Sequence, residues 1–397
     1  MSRQLTATEP DWLTERRRKG AALASELALP TQKDKGWEFT DLSGLDLDAY
    51  TPGEGRVEGL LDGADSADGP PVVMPLREAA ERLGDVVRER FGSLVPADDP
   101  FVARNEAQWR NGVLVYVPRG QRLVEPVRLS VLQDAAGGAL DWRALIVLEE
   151  GAEAEVWERH GADSDELEGL FNGVVELKVG PGANLRYVCE QELSERSWVF
   201  ATQRAELQRD ASLDWVALGF GSARGKVRME TKLAGPGSSA KVTGAYAGAG
   251  TQHLDFDTTQ EHAAEHTTSD LAFRGVLSDR STAVWRGMIR VDPGAQQTDA
   301  FQECRNLLLS PKAHADAIPG LEIEANDVRC THAAAIAQVD RDQLYYLRSR
   351  GLSESQAKRL IIDGFLQELA ERTAEGPVRE ALSAALDRRL GEILVED

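Results

Sequence analysis

Residues 173–191 read GVVELKVGPGANLRYVCEQ: a valine- and leucine-rich run, a Gly180-Pro181-Gly182 turn, and a second run of alternating character. That composition on either side of a turn predicts two β-strands. The unit recurs outward in both directions, as ALIVLEEGAEAEVWERH (144–160), RAELQRDASLDWVALGFG (204–221) and METKLAGPGSSAKVTGAY (229–246). With the turns aligned at Gly151, Pro181, Asp210 and Pro236 the period is roughly 26–30 residues, within the range of solenoid repeats. No helical stretch long enough for a βαβ crossover lies between the strands. A β-sandwich and a β-solenoid both accommodate such strands. The fixed period with similar turn chemistry favours stacked coils, since each coil can bury its apolar face only against its neighbours.

Helical periodicity flanks this region. After Thr8-Glu9-Pro10, the residues Trp12, Leu13, Ala21, Leu23 and Leu27 recur at helical spacing up to Leu29-Pro30. The run Arg16-Arg17-Arg18-Lys19 within it reads as a solvated face balanced by Glu15 and Glu26 rather than a nucleic-acid patch. A Gly/Asp/Pro-rich loop is expected over 51–71, a second helix over 76–91, and a strand and turn over 113–120. Beyond Val339 the spacing of Leu344, Leu347, Leu352, Ala357, Leu360, Ile361, Phe365, Leu366 and Leu369 predicts helix, followed by another over 378–394. The expected organisation is a helical N-terminal domain (1–108), a β-solenoid core (109–332) and a helical C-terminal domain (333–397).

The chain has 397 residues, a formal charge of -21 and a pI near 4.8. Such a balance disfavours nucleic acid and anionic membrane as partners. Its three cysteines, Cys189, Cys304 and Cys330, form no disulfide framework and no CxxC, which points to a reducing compartment. The N-terminus has no apolar signal-like core and no run approaches the length of a membrane span, so a soluble cytosolic protein is expected.

Several motifs invite chemistry. His262-Ala-Ala-Glu265-His266 matches the inverted zinc-protease pattern, which works only on a helix; its flanks have strand and turn composition, so polar, solvent-facing histidines of a β-coil are expected. Gly180-Pro-Gly182 and Gly235-Pro-Gly237 read as turn glycines, since no GxxxxGK[ST] or strand-GxGxxG-helix unit accompanies them. A β-helical carbohydrate-active enzyme is an alternative resting on fold analogy, because abundant acidic residues carry no such signal alone. Cys330-Thr331-His332 differs: two residues apart on a strand, thiol and imidazole share a face and could converge on one metal or sulfur species. Two ligands are too few for a closed site and suggest one shared across an interface. Cys189 reads as core packing, and Cys304, beside Glu303 and Arg305, is open to either role.

The C-terminal third carries Arg274-Gly275-Val276-Leu277, Trp285-Arg-Gly-Met-Ile289, Pro293-Gly-Ala-Gln296, Thr298-Asp-Ala300, Arg305-Asn306-Leu307-Leu308-Leu309-Ser310, Pro319-Gly-Leu-Glu322, Asp327-Val-Arg-Cys330-Thr-His332 and Tyr346-Leu347-Arg348-Ser349-Arg350-Gly351. With Trp37-Glu38-Phe39-Thr40 near the N-terminus, this ordered string resembles the SufB/SufD family of iron–sulfur cluster assembly proteins, the SufD branch more closely. The resemblance implies a right-handed parallel β-helix with helical domains at both ends, acting as a non-enzymatic scaffold. It implies pairing with a SufB-like paralogue through the β-helix, or a homodimer when isolated, and docking of a SufC-like ATPase on the C-terminal helices. Cys330 and His332 are then candidate transient ligands of an iron–sulfur cluster or iron at the partner interface, with no cofactor bound stably by the isolated chain. Over 344–365, Tyr345, Tyr346, Leu347, Arg350, Gly351 and Phe365 are the candidate ATPase-docking residues. The resemblance departs after His332, where Ala333-Ala334-Ala335 replaces the family's usual Gly-Ala-Thr and removes a glycine's backbone freedom.

Overall fold

Each repeat contributes one strand to each of two sheets, and successive repeats stack in parallel. The computed structural model describes residues 9–59, 69–373 and 375–394. Among these, a ten-stranded sheet runs from Val72–Pro75 at one edge to His314–Ile323 at the other, and a nine-stranded sheet runs from Arg56–Glu58 to Arg329–Gln338. In-register partners in neighbouring coils lie between 26 residues apart (Trp198 and Arg224) and 32 apart (Thr282 and His314). The fold is therefore the parallel β-helix that the period predicts, with helices at both ends.

Alternation along each strand decides what the coil encloses. Phe171, Tyr187, Trp215, Phe273 and Trp285 point inward and are almost wholly buried, with Tyr187 edge-on to Trp215 at 5.8 Å. Each such side chain stabilises the fold by about 1.5–3 kcal/mol through removal from water. The turns use left-handed backbone at Gly182 (φ +64°) and Gly237 (φ +74°), which identifies these glycines as turn residues.

The first coils are capped. Val72–Pro75 and Arg56–Glu58 pair antiparallel with Asn111–Val117 and Val127–Gln133, closing both sheets. Helices α1 (Asp11–Glu26), α2 (Leu76–Arg82), α3 (Gly84–Arg90) and α4 (Pro100–Gln108) pack over this end. The helix expected over 76–91 is broken at Leu83-Gly84. The N-terminal region is thus not purely helical: it supplies strands to both sheets. The basic run is only partly a solvated face, because Arg16 pairs with Glu106, and Arg17 pairs with Glu9 and stacks 4.4 Å over Trp109. The loop expected over 51–71 contains two short strands, Thr51–Pro52 and Arg56–Glu58, while 60–68 lies outside the described residues.

The Trp37-Glu38-Phe39-Thr40 segment is a clamp on the side of the β-helix. Trp37 stacks on Phe101 at 5.4 Å and lies under Arg228 at 5.1 Å. Glu38 pairs with Arg286 at 2.7 Å, which holds its carboxyl down to about 2, and Thr40 donates to Asp255, which is itself paired with buried Lys226 at 2.9 Å.

At the far end the terminal strand runs through Gln338, so the boundary expected at 332/333 falls inside it. Ala333, Ala334 and Ala335 sit opposite Glu303, Cys304 and Arg305 in regular register, where no glycine is required. Helices α5 (Arg341–Ser349), α6 (Glu354–Arg372) and α7 (Pro377–Ile393) follow. Gly351, at φ +94°, ends the first of these, and Ser353 with Gln356 forms a capping box that starts the second. Ile362, Leu366, Leu369, Leu382 and Leu386 bury themselves against Val188, Val216 and Leu218 on the outer face of the nine-stranded sheet.

Candidate functional site

The last coil ends in open edges. His314–Ile323 and Arg329–Gln338 are terminal in their sheets, each with a neighbour on one side only among the described residues. Parallel register carries the inward rows of the preceding coil onto them: Leu321 follows Ile289, Ile323 follows Val291, and Ile336 follows Asn306. With no further coil stacked above, Leu321, Ile323 and Ile336 are 38, 42 and 47% exposed. Apolar residues in core register beside unpaired strand edges are features on which a further β-strand could pair.

Cys330 and His332 lie on this end. Cys330 is opposite Ala300 and His332 opposite Gln302, so both project on the row that earlier coils turn inward. Cys330 is half-buried against the cluster of Ile289, Val291, Ala295 and Ala300, whereas His332 is exposed. Burial, helped by the charge of Asp299, pushes the Cys330 thiol up. A metal ligand must be the thiolate, so a metal or an added positive charge has to complete the site. Their α-carbons are about 6.6 Å apart along the strand, a span that two side chains can bridge onto one cluster.

Cys304 is a packing residue. It is fully buried, lies 3.6 Å from the Tyr246 hydroxyl and 3.5 Å from Asn306 Nδ2, and burial pushes its thiol up to about 12. Cys189 is also in the core, as its sequence context suggests, but it lies opposite the buried carboxylate Glu158.

His262 is not solvent-facing. It ends a strand inside the fold, its Nδ1 bonded to Thr267 Oγ1 at 2.7 Å and its Nε2 to Ser269 Oγ at 2.8 Å. Both ring nitrogens are committed, burial lowers its pKa to about 4, and His266 sits in a turn at φ +58°. The HxxEH pattern therefore makes no zinc site.

On the C-terminal helices, Tyr345 and Tyr346 are 76 and 56% exposed and Arg350 lies 5.1 Å over the Tyr346 ring. Leu347 is half-buried, and Arg350 and Gly351 are exposed where the helix turns. Phe365 faces the other way: it packs on the β-helix beneath the Arg274 guanidinium, 5.9 Å from its ring, and so belongs to the internal joint rather than a free surface. A groove of about 440 Å³ opens between the second and third of these helices, lined by Leu352, Arg359, Leu360, Asp363, Leu390 and Leu394. Leu360, Leu390 and Leu394 fit the helical spacing of the sequence, but the groove depends on how two helices meet. No helix among the described residues is long and apolar enough to cross a membrane.

Residues 131–365 match the family described as SUF system FeS cluster assembly, SufBD core domain. An iron–sulfur cluster assembly SufBD family protein of Mycobacterium tuberculosis is 30% identical over 376 residues, covering 91% of this chain and 89% of the relative. This chain belongs to the SufBD family. Within that family it is SufD-like: the Bacillus subtilis assembly protein SufD is 26% identical over 415 residues and is covered across 95% of its length. The SufB of the same organism is 28% identical, but only over 300 residues and 64% of its length. The relatives carry the names of assembly proteins, which gives no support to the carbohydrate-enzyme alternative.

Proposed function

We propose that this SufD-like chain is a non-enzymatic scaffold subunit of cytosolic iron–sulfur cluster assembly. Its open β-helix end joins a SufB-like paralogue, its C-terminal helices dock a SufC-like ATPase, and Cys330 with His332 supplies part of the ligand set of a nascent cluster. The observation that carries this reading is that the only cysteine–histidine pair two residues apart in the sequence lies on the terminal strand, which has one free edge, beside apolar residues in core register. A second β-helix seated there covers Leu321, Ile323 and Ile336 and brings its own ligands to a pair that is incomplete alone. When the paralogue is absent, a second copy of this chain satisfies the same edges as a homodimer.

The chemistry follows from the ligand count. Iron in such clusters is held by thiolates, with imidazole replacing thiolate at some sites. Two ligands from one chain bind weakly, and the remainder from a partner make binding depend on the relative position of the two subunits. Docking of an ATPase through Tyr345, Tyr346 and Leu347, in the neighbourhood of the Leu360–Leu390 groove, lets nucleotide-driven dimerisation of that partner favour one arrangement over another. Cluster formation and release are then two states of one assembly.

The test is co-expression with the paralogue and the ATPase. Cys330→Ala and His332→Ala are each expected to reduce cluster yield at least about tenfold, read as iron and sulfide per complex, with complex formation and melting temperature unchanged. Normal yield in both variants removes the site.

A further inference from the structure

The interior of the β-helix is apolar along most of its length, and one of the buried polar groups that interrupt it joins a carboxylate, an imidazole and a thiol. Strand Glu153–Ala162 turns Val156, Glu158 and His160 inward, and strand Asn184–Glu192 turns Tyr187, Cys189 and Gln191 inward, with Glu158 directly opposite Cys189. Glu158 and His160 are 1 and 2% exposed. The Glu158 carboxylate accepts from His160 Nε2 at 2.7 Å, from the Tyr187 hydroxyl at 2.7 Å and from the Trp142 indole. Burial by itself would make His160 less basic; the adjoining Cys189 and Glu158 outweigh it and push the imidazole up to about 10. A buried ion pair of this kind stabilises a fold less than well-packed apolar residues of the same volume do. Carboxylate, imidazole and thiol are the groups of an activated nucleophile: Glu158 orients His160, and His160 lines the same cavity as Cys189. Cys189 also receives a long hydrogen bond from Gln203 Nε2 at 3.6 Å.

The sulfur has somewhere to react. His160, Cys189, Gln203, Met229, Phe171 and Phe256 line a cavity of about 30 Å³. Such a space takes one or two molecules the size of water and nothing as large as a peptide or a thiol cofactor. We propose that Cys189 is a reactive thiol of the β-helix interior, oxidised to the sulfenic acid by a small uncharged hydroperoxide that enters this cavity. The sulfur attacks one peroxide oxygen, forming the S–O bond as the O–O bond breaks. The departing oxygen leaves with the electron pair and takes up the proton that the thiol gives up. Thiol and hydrogen peroxide become sulfenic acid and water; the sulfur loses two electrons and the peroxide gains them. This proposal stands apart from the assembly role of Cys330 and His332.

Cys304 is the internal control, also buried (0% exposed against 6% for Cys189) but hydrogen-bonded by a phenol and an amide. The full-length chain is treated with hydrogen peroxide, quenched, denatured and alkylated, and the oxidised fraction at each cysteine is read by peptide mass. Cys189 is expected to oxidise at least about tenfold faster than Cys304, and His160→Gln to bring it to the rate of Cys304. Equal rates at the two cysteines of the native chain overturn the proposal. So does a folded His160→Gln protein with undiminished reactivity. Should that variant fail to fold, cumene hydroperoxide on the native chain decides: it is too large for the cavity and should spare Cys189. Oxidation of Cys189 as fast as with hydrogen peroxide means that the thiol is reached by opening of the fold, and the cavity is not the site.

Discussion

At its first coils the β-helix ends in two short antiparallel strands covered by four helices, whereas at its last coil both sheets stop at full-length parallel strands with no such cover among the described residues. The inward rows are alike at both ends; what differs is what covers them. Val73 and Val115 near the capped end are wholly buried, while Ile323 and Ile336 at the open end are close to half exposed. A repeat protein stabilises each unit against its neighbours and needs a distinct terminal element to stop. Among the described residues one end carries such an element, and in the proposed assembly a partner would supply the cover at the other. Changes at the capped end should therefore damage the chain alone, and changes at the open end should damage only its assemblies.

The largest effect belongs to the flank of the coil that the Trp37–Thr40 segment clamps. Lys226 and Asp255 are each 2% exposed at the side chain, and Asp255 also accepts from Thr40. Lys226→Met leaves a buried carboxylate without its cation and is expected to cost about 3–5 kcal/mol in chemical denaturation. The double change Lys226→Met with Asp255→Leu should recover most of that loss, because the carboxylate is gone too. If the single variant unfolds at the wild-type midpoint, the clamp is ornament on an already stable coil.

The open end gives the next effect. Ile323→Asp or Ile336→Asp places a charge on a row that a partner would bury. Each should weaken association with the paralogue, or self-association of the isolated chain, by about tenfold to a hundredfold, corresponding to about 1.5–3 kcal/mol of lost apolar burial. Sedimentation would read this, and the melting temperature of the monomer should stay where it was. A fall in monomer stability instead would mean that these residues already belong to a finished core.

How legible these features are in sequence follows the same division. The period between Gly151 and Pro236 is local chemistry repeated, turn glycines and alternating apolar residues, and it is enough for the coil. The caps are not periodic. Val72–Pro75 is four residues long, and α4 hides behind Asp99-Pro100, although an N-capping aspartate before a first-turn proline is a helix signal that could have found it. Cys330 and His332 stand out as a CxH on a strand. The exposure of Leu321, Ile323 and Ile336 does not, because an inward residue of the last coil is written like an inward residue of any other. Glu158 and His160 break the apolar alternation visibly, yet only register shows that Glu158 lies opposite Cys189.

The smallest effect tests how firmly the C-terminal helices are held to the side of the coil. Arg388 of α7 reaches Glu190 at 2.8 Å and Glu192 at 2.5 Å on the outer face of strand Asn184–Glu192, with Arg159 alongside. The two carboxylates titrate as a pair. Glu192, hydrogen-bonded by both arginines, is held low, while burial and then the charge of Glu192 push Glu190 up to about 7. A raised carboxyl pKa means that the folded state binds the proton more tightly than the unfolded chain does. Its contribution is complete below the ordinary carboxylate range and is lost as pH rises through about 7. Between pH 5 and pH 8 the wild-type chain is therefore expected to lose about 1 kcal/mol of stability that Glu190→Gln, which cannot ionise, retains. Paired melting curves at the two pH values would show it as a difference of differences, with other titrating groups cancelling. Parallel pH dependence in wild type and variant would mean that solvent already reaches Glu190 and that α7 rests on its apolar face alone, through Val378, Leu382 and Leu386.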